Sequence, residues 1–225
     1  MKTMRNTLRA LSLLLQYPDA DRRRLLPLLV EAIVEEGVLP AARRAEIRAL
    51  AGEMQRGDPI EVEARYVELF DRGRSTSLHL FEHVHGDSRD RGPAMIDLVK
   101  TYESAGLLLA DGELPDHLCV ALEFASCQPP AVAREFLGEM AHILKAIFSA
   151  LRERDSSYAS LIAAVLELAG HKAEAVPFAA DEDLDATWTE PEAFDGCSSR
   201  GQAGPGTPQP IQIVRRNAAP QGASA

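Results

Sequence analysis

Apolar residues recur at three- and four-residue intervals through most of the chain as far as Leu168, and runs of alternating β-branched residues are almost absent. A period near 3.6 buries one stripe of a helix, whereas a half-buried strand needs a period of two. The chain is therefore expected to be all-α, a single-domain bundle of about eight to nine helices.

Punctuation divides that pattern. Leu8, Leu11, Leu14 and Leu15 mark an amphipathic helix over Met4 to Gln16, stopped by Tyr17-Pro18-Asp19. A second helix covers about Asp21 to Glu36 and closes at Gly37, a third runs from Pro40 to Gln55, and Pro59 opens the helix carrying Tyr66. Pro93 is placed to start a helix that continues to about Leu109, and Leu114-Pro115-Asp116 to start another reaching about Cys127. Pro129-Pro130 leads one long helix through Phe136, Met140, Ile147 and Leu151, and Ser156 or Ser157 leads the last, through Leu168. Short connections imply antiparallel neighbours.

The helical domain is expected to span residues 1–176. Residues 177–225 begin with an acidic stretch and turn rich in Gly, Pro, Gln and Ala, the composition of a disordered tail. Trp188 and Phe194, flanking a proline in WTEPEAF, are its exception and could dock weakly on the domain.

With 225 residues and 46% hydrophobic content the chain can bury a substantial core. A formal net charge of -10 disfavours a nucleic-acid partner and suits a basic amphipathic peptide. No apolar run approaches the roughly 20 residues that cross a bilayer, and the opening MKTMRNTLRALSLLLQYPD lacks the cleavage site of a signal peptide. Cys119, Cys127 and Cys197 form no CxxC and are odd in number, which points to a reducing cytoplasm; Cys119, among Leu118, Val120 and Leu122, reads as a small buried hydrophobe.

One stretch is denser in polar groups than a bundle requires: Tyr66 to Leu98, YVELFDRGRSTSLHLFEHVHGDSRDRGPAMIDL. Tyr66, Leu69 and Phe70 have the spacing of a buried stripe. Gly73 and the hydroxyl residues after it favour a turn, with a helix starting near Ser77 whose apolar side is Leu78 and Phe81. His79 and His83, four apart on one helix face, resemble half a zinc site, and His85 follows. Leu80 nevertheless stands where an HExxH protease needs its glutamate, no further ligands are evident, and the plainer expectation is that the histidines pair with Glu82, Asp87 and Asp90. There is no GxSxG elbow and no phosphate loop. A second polar cluster, Glu113-Leu114-Pro115-Asp116-His117, suits a helix start, where Asp116 could cap and an exposed Asp116-His117 pair could meet a peptide backbone.

YVELFDRGRSTSLHLFEHVHGDSRDRG followed by MIDL closely resembles the signature region of NarJ-type proteins, the delta-subunit assembly chaperones of respiratory nitrate reductase. ELPDHL, LLQYPD near the start and the W-x-E-P-x-x-F around Trp188 extend the resemblance from about Met4 to Phe194. It implies an all-helical, non-enzymatic cytoplasmic protein that binds the apo catalytic alpha subunit, including its N-terminal segment as an amphipathic helix, and supports molybdenum cofactor insertion before membrane attachment. No cofactor would be held stably, since the molybdenum cofactor belongs to the client; cofactor-delivery proteins would be further partners.

Charge and periodicity agree with a peptide groove between the helix after Ser77 and the Asp116-His117 helix start. Leu78, Phe81 and Met95 are the expected apolar contacts, and Glu82, Asp87, Asp90, Asp97 and Asp116 the expected partners of basic residues. His83, His85 and His117 would titrate near neutrality and modulate affinity. Arg72, Arg74, Arg89 and Arg91 are expected to pair with Asp71, Glu82, Asp87 and Asp90, organising two loops. The rivals are a metal-dependent enzyme built on His79, His83 and His85, and a general helical adaptor.

Overall fold

The first helix shows how this chain builds its core. Leu8, Leu11 and Leu14 of α1 (Arg5–Leu14), with Leu15 after it, are wholly buried. The N-terminus of α1 is closed from elsewhere in the chain, because the Glu36 carboxylate accepts hydrogen bonds from the N–H groups of Asn6 and Thr7 at 3.1 and 2.7 Å. This computed structural model describes residues 3–86 and 88–177, all within one compact unit. Asp87, the acidic and Gly/Pro-rich stretch, Trp188 and Phe194 lie outside the described residues.

Two further helices complete the N-terminal layer. In α2 (Ala20–Glu36), Asp19 caps the first turn by accepting from the Arg22 N–H at 2.7 Å, and Gly37 ends it at φ 60°. α3 (Ala41–Arg56) follows, then α4 (Pro59–Phe70), where Asp58 caps and Pro59 occupies the first turn. Tyr66, Leu69 and Phe70 form the expected buried stripe.

α4 gives way at Gly73, where an added Cβ would lie 2.6 Å from the Leu69 carbonyl oxygen and against Thr76 Oγ1. A single 3-10 turn, Arg74–Thr76, comes next, and α5 is only Leu80–His85. The helix does not start at Ser77, because Leu78 and Leu80 commit their backbones to a long-range pairing described below. α6 (Arg91–Ser104) begins before Pro93, which sits in the first turn where its missing N–H leaves no bond unmade. It ends at Ser104 rather than Leu109, and Tyr102 is its one buried residue.

α7 (Leu118–Ser126) starts later than expected, with His117 as its cap. The long helix expected after Pro130 is two: α8 (Pro130–Glu139) and α9 (Ala141–Glu153). Met140 closes α8 with a bond to the Leu137 carbonyl and opens α9 by accepting from the Leu144 N–H. The apolar stripe continues across this break, so periodicity alone could not reveal it. Nine of the ten residues of α10 (Ala159–Leu168) are buried, as suits a helix packed on every side. It contacts α9, α8, α3 and α1, while α1 packs on α7 and α2. The described residues thus contain ten α-helices, α5 being the shortest, and no β-strand.

Candidate functional site

The two polar motifs meet through their backbones. The Leu118 N–H donates to the Leu78 carbonyl at 2.8 Å, and the Leu80 N–H to the Asp116 carbonyl at 2.9 Å. Together they form an isolated antiparallel bridge between His79 and His117, whose rings stand edge-to-face with centroids 4.9 Å apart.

Asp116 lies at the centre of this junction, with its side chain 0% exposed. Its Oδ2 accepts from the Phe81 N–H at 3.2 Å, capping α5, and from Arg91 at 3.4 Å. Its Oδ1 is 3.5 Å from Nδ1 of His79, an ionic contact longer than a good hydrogen bond. Arg91 also reaches Glu82 at 3.5 Å, so one guanidinium ties α6 to α5 and to the segment before α7. Ser77 Oγ donates to Glu82 at 2.6 Å and accepts from the His79 N–H at 3.2 Å; the Ser77 carbonyl accepts from His83 Nε2 at 2.8 Å. The hydroxyl and carbonyl of Ser77 are thereby both used to shape the entry to α5.

The charges respond to one another. The Asp116 carboxylate raises the pKa of His79 against the opposing effect of burial. Burial alone would raise the Asp116 carboxyl, but His79, the Phe81 N–H and Arg91 together hold it below its usual value. His117 is pushed down to about 4, mainly by burial and then by the neighbouring His79. A neutral His117 is also what α7 needs, because its Nδ1 accepts the Cys119 N–H at 3.3 Å.

Several site expectations change accordingly. Asp116 and Leu78, the latter 2% exposed, belong to the interior and not to a peptide-facing surface. The Asp116-His117 pair is therefore not an exposed helix start, and His117 is neutral at physiological pH rather than titrating near 7. Among the described residues, His79 and His83 pair with Asp116 and Ser77 instead of Glu82 and Asp90, while His85 packs on the Phe81 ring with centroids 5.6 Å apart. Of the arginines, Arg91 pairs with Glu82 as expected, and also with Asp116, which was not expected. Arg72 and Arg89 are exposed and form no ion pair among the described residues, nor does the exposed Asp71; Arg74 is exposed and engaged in the 3-10 turn. Phe81, Glu82, His83, His85 and Met95 are half-buried, Asp90 is exposed, and Asp97 is exposed and paired with Lys100 at 3.0 Å.

Sequence reasoning missed Tyr102, whose hydroxyl donates to the Pro115 carbonyl at 2.8 Å and whose ring packs on Phe124 at 4.6 Å. The aromatic side chain in an otherwise solvent-facing helix was the available signal. Among the described residues no group of three or more His, Cys, Asp or Glu side chains is placed to hold a metal ion. Cys119 is buried, which pushes its thiol pKa up. No described helix is long and apolar enough to cross a membrane.

Residues 36–164 match the sequence model of the family described as nitrate reductase delta subunit. The chain belongs to that family. It is 40% identical to the nitrate reductase molybdenum cofactor assembly chaperone NarJ of Escherichia coli strain K12, over 90% of this chain and 95% of that protein. A Bacillus subtilis protein assigned the same role is 32% identical over 71% of this chain and 86% of its own length. The fold matches the crystal structure of an Archaeoglobus fulgidus protein assigned to redox enzyme maturation, with a TM-score of 0.51 and 22% identity, covering 74% of this chain and 94% of that one. Both motifs that form the junction, around His79 and around Asp116, lie within the part matched to the delta-subunit family.

Proposed function

We propose that this protein is a system-specific assembly chaperone for membrane-bound respiratory nitrate reductase. It binds the apo catalytic alpha subunit, including its N-terminal segment, and keeps it open to molybdenum cofactor insertion before membrane attachment. It acts in the cytoplasm, catalyses no reaction, and leaves the cofactor to its client. The observation that carries this reading is the identity, over nine-tenths of the chain, to a protein named as such a chaperone.

The geometry is suited to the task. Phe81 and Met95 are half-buried, Val84 and Ile96 are exposed, and the carboxylates of Glu82, Asp90 and Asp97 stand on or beside the same two helices. Apolar contacts with a negative rim match a basic amphipathic helix. His83 and His85 lie on the same short helix and belong to this proposed surface. Asp116, His117, Leu78 and Arg91 support it from beneath by fixing α5 and α6 to α7; Asp71, Arg72, Arg74 and Arg89 flank it in the loops.

Calorimetry with the N-terminal peptide of the cognate catalytic subunit, and co-purification with the apo subunit, test the proposal. Binding is expected in both, weakened in a Phe81→Ala, Met95→Ala double variant. Absence of binding to both peptide and apo subunit would overturn the reading.

A further inference from the structure

Between Gly106 and Gly112 the chain runs Leu107-Leu108-Leu109-Ala110-Asp111 without regular structure, and none of the three leucines is buried. Leu108 is 86% exposed and Leu114, just beyond, is 44% exposed. Three consecutive leucines outside the core are unusual for a protein that buries α10 almost completely, and such apolar exposure marks contact surfaces. The N–H groups of Leu108 and Leu109 make no backbone hydrogen bond among the described residues. Gly106 and Gly112 end the segment at φ 77° and 85°, the left-handed region that favours glycine, and the Gly106 N–H donates to the Glu103 carbonyl at 2.8 Å where the segment leaves α6.

Beneath this segment lies a cavity of about 250 Å³, floored by Val120 and Phe124 of α7 and by Tyr102 of α6. Glu113 and Glu123 line it, and no Lys or Arg does. Tyr102 links the cavity to the junction, since its hydroxyl holds the carbonyl of Pro115, next to Asp116. An apolar floor and lid with two carboxylates and no cation complement an apolar side chain beside a basic one.

We infer that the Leu107–Leu109 segment and the cavity below it are a docking site for a basic amphipathic peptide segment, with Leu108 closing on its apolar face. The inference rests on the functional reading above and names the N-terminal segment of the catalytic subunit as the occupant, reaching past α5 and α6 to this side of α7. Leu108 contributes contact area, and Glu113 and Glu123 select for positive charge.

Calorimetry with that synthetic N-terminal peptide should compare the full chain with Leu108→Ser, Glu123→Gln and Ile60→Ser. Leu108 and Ile60 are both largely exposed, so neither change disturbs the core. Leu108→Ser is expected to weaken binding about tenfold, from the loss of one buried leucine contact. Glu123→Gln keeps an acceptor for Ser12 Oγ and should weaken binding less, with a shallower dependence on salt. Ile60→Ser, on α4, should bind as the unaltered chain does. As a second measurement, in a Cys197→Ser background, bound peptide should slow alkylation of Cys127, the exposed thiol at the cavity edge. Unchanged affinity in Leu108→Ser, or unchanged Cys127 reactivity at saturating peptide, would overturn the site while leaving the chaperone reading intact. An unaltered chain that binds no peptide would overturn the site, and one that also fails to bind the apo subunit would overturn the chaperone reading with it.

Discussion

The Asp116 carboxylate lies 3.5 Å from Nδ1 of His79, and this contact joins two motifs that are far apart in the chain. The same pair is seen from both ends, since His79 is raised and Asp116 lowered relative to their ordinary pKa values. Arg91 arrives from α6 as a third party. A carboxylate with no exposure can persist only if it is paired and hydrogen-bonded, and here two separate segments supply the partners, the start of α5 through His79 and the Phe81 N–H, and α6 through Arg91. Asp116 is thereby the point where α5, α6 and α7 are held to one another.

Asp116→Ala should cost about 2–4 kcal/mol of stability, because it leaves Arg91 and His79 without their carboxylate and the Phe81 N–H without its acceptor. Asp116→Asn retains an acceptor for Phe81 and should cost less. Urea denaturation of the two variants checks the order; an Asp116→Ala variant as stable as the native protein would refute the role.

The two histidines of the bridge should impose opposite pH dependences. His79 has a raised folded-state pKa, so its contribution is complete below its unfolded value of 6.5 and disappears as pH rises through the folded value. His117 is lowered to about 4, so between 6.5 and about 4 the unfolded chain binds the proton and stability falls on acidification. His117→Asn, which preserves a capping acceptor, should flatten the loss of stability between pH 6.5 and about 4. His79→Asn should instead flatten the decline above 6.5. Denaturation midpoints measured across that range distinguish the two, and identical pH profiles for both variants would contradict the assignment.

Arg91 and Asp71 should differ sharply despite their similar places in the polar stretch. Arg91→Ala removes the contacts to Glu82 and Asp116 and should cost about 1–3 kcal/mol, the value expected for charged hydrogen bonds that are only partly screened. Lysine should restore part of this, lacking the planar fork. Asp71→Ala should stay within about 0.5 kcal/mol of the native chain, since the exposed carboxylate has no ion-pair partner among the described residues. Thermal unfolding of the three variants provides the comparison.

Tyr102→Phe should cost about 1 kcal/mol by leaving the Pro115 carbonyl without its donor, and Tyr102→Ala about 3–5 kcal/mol by also emptying the contact with Phe124. Because Tyr102 is the only buried residue of α6, the alanine change should also speed amide exchange throughout α6. Exchange confined to residues beside Tyr102 would show that α6 is anchored elsewhere.

Much of the architecture was legible where physics is local. Pro59 announced α4, Gly37 ended α2, and the leucines of α1 stated which face would be buried. The break at Met140 was not legible, since the apolar stripe runs through it and a single tight turn leaves no periodic trace. The late starts of α5 and α7 were not legible either, for a shared reason. Each segment gives its first residues to the other in the His79–His117 bridge, and no local propensity records a partner so distant.

The sequence by itself determined that this chain is helical, which residues line its main core, and that its polar groups concentrate in two motifs. Only the tertiary structure decided that Asp116 would face inward to Arg91 and His79 while Phe81, Met95 and Leu108 remain accessible. A carboxylate reads the same in sequence at a surface or in a core. Its place is set by the partners that folding brings to it, because burial without them would cost more than the fold can supply.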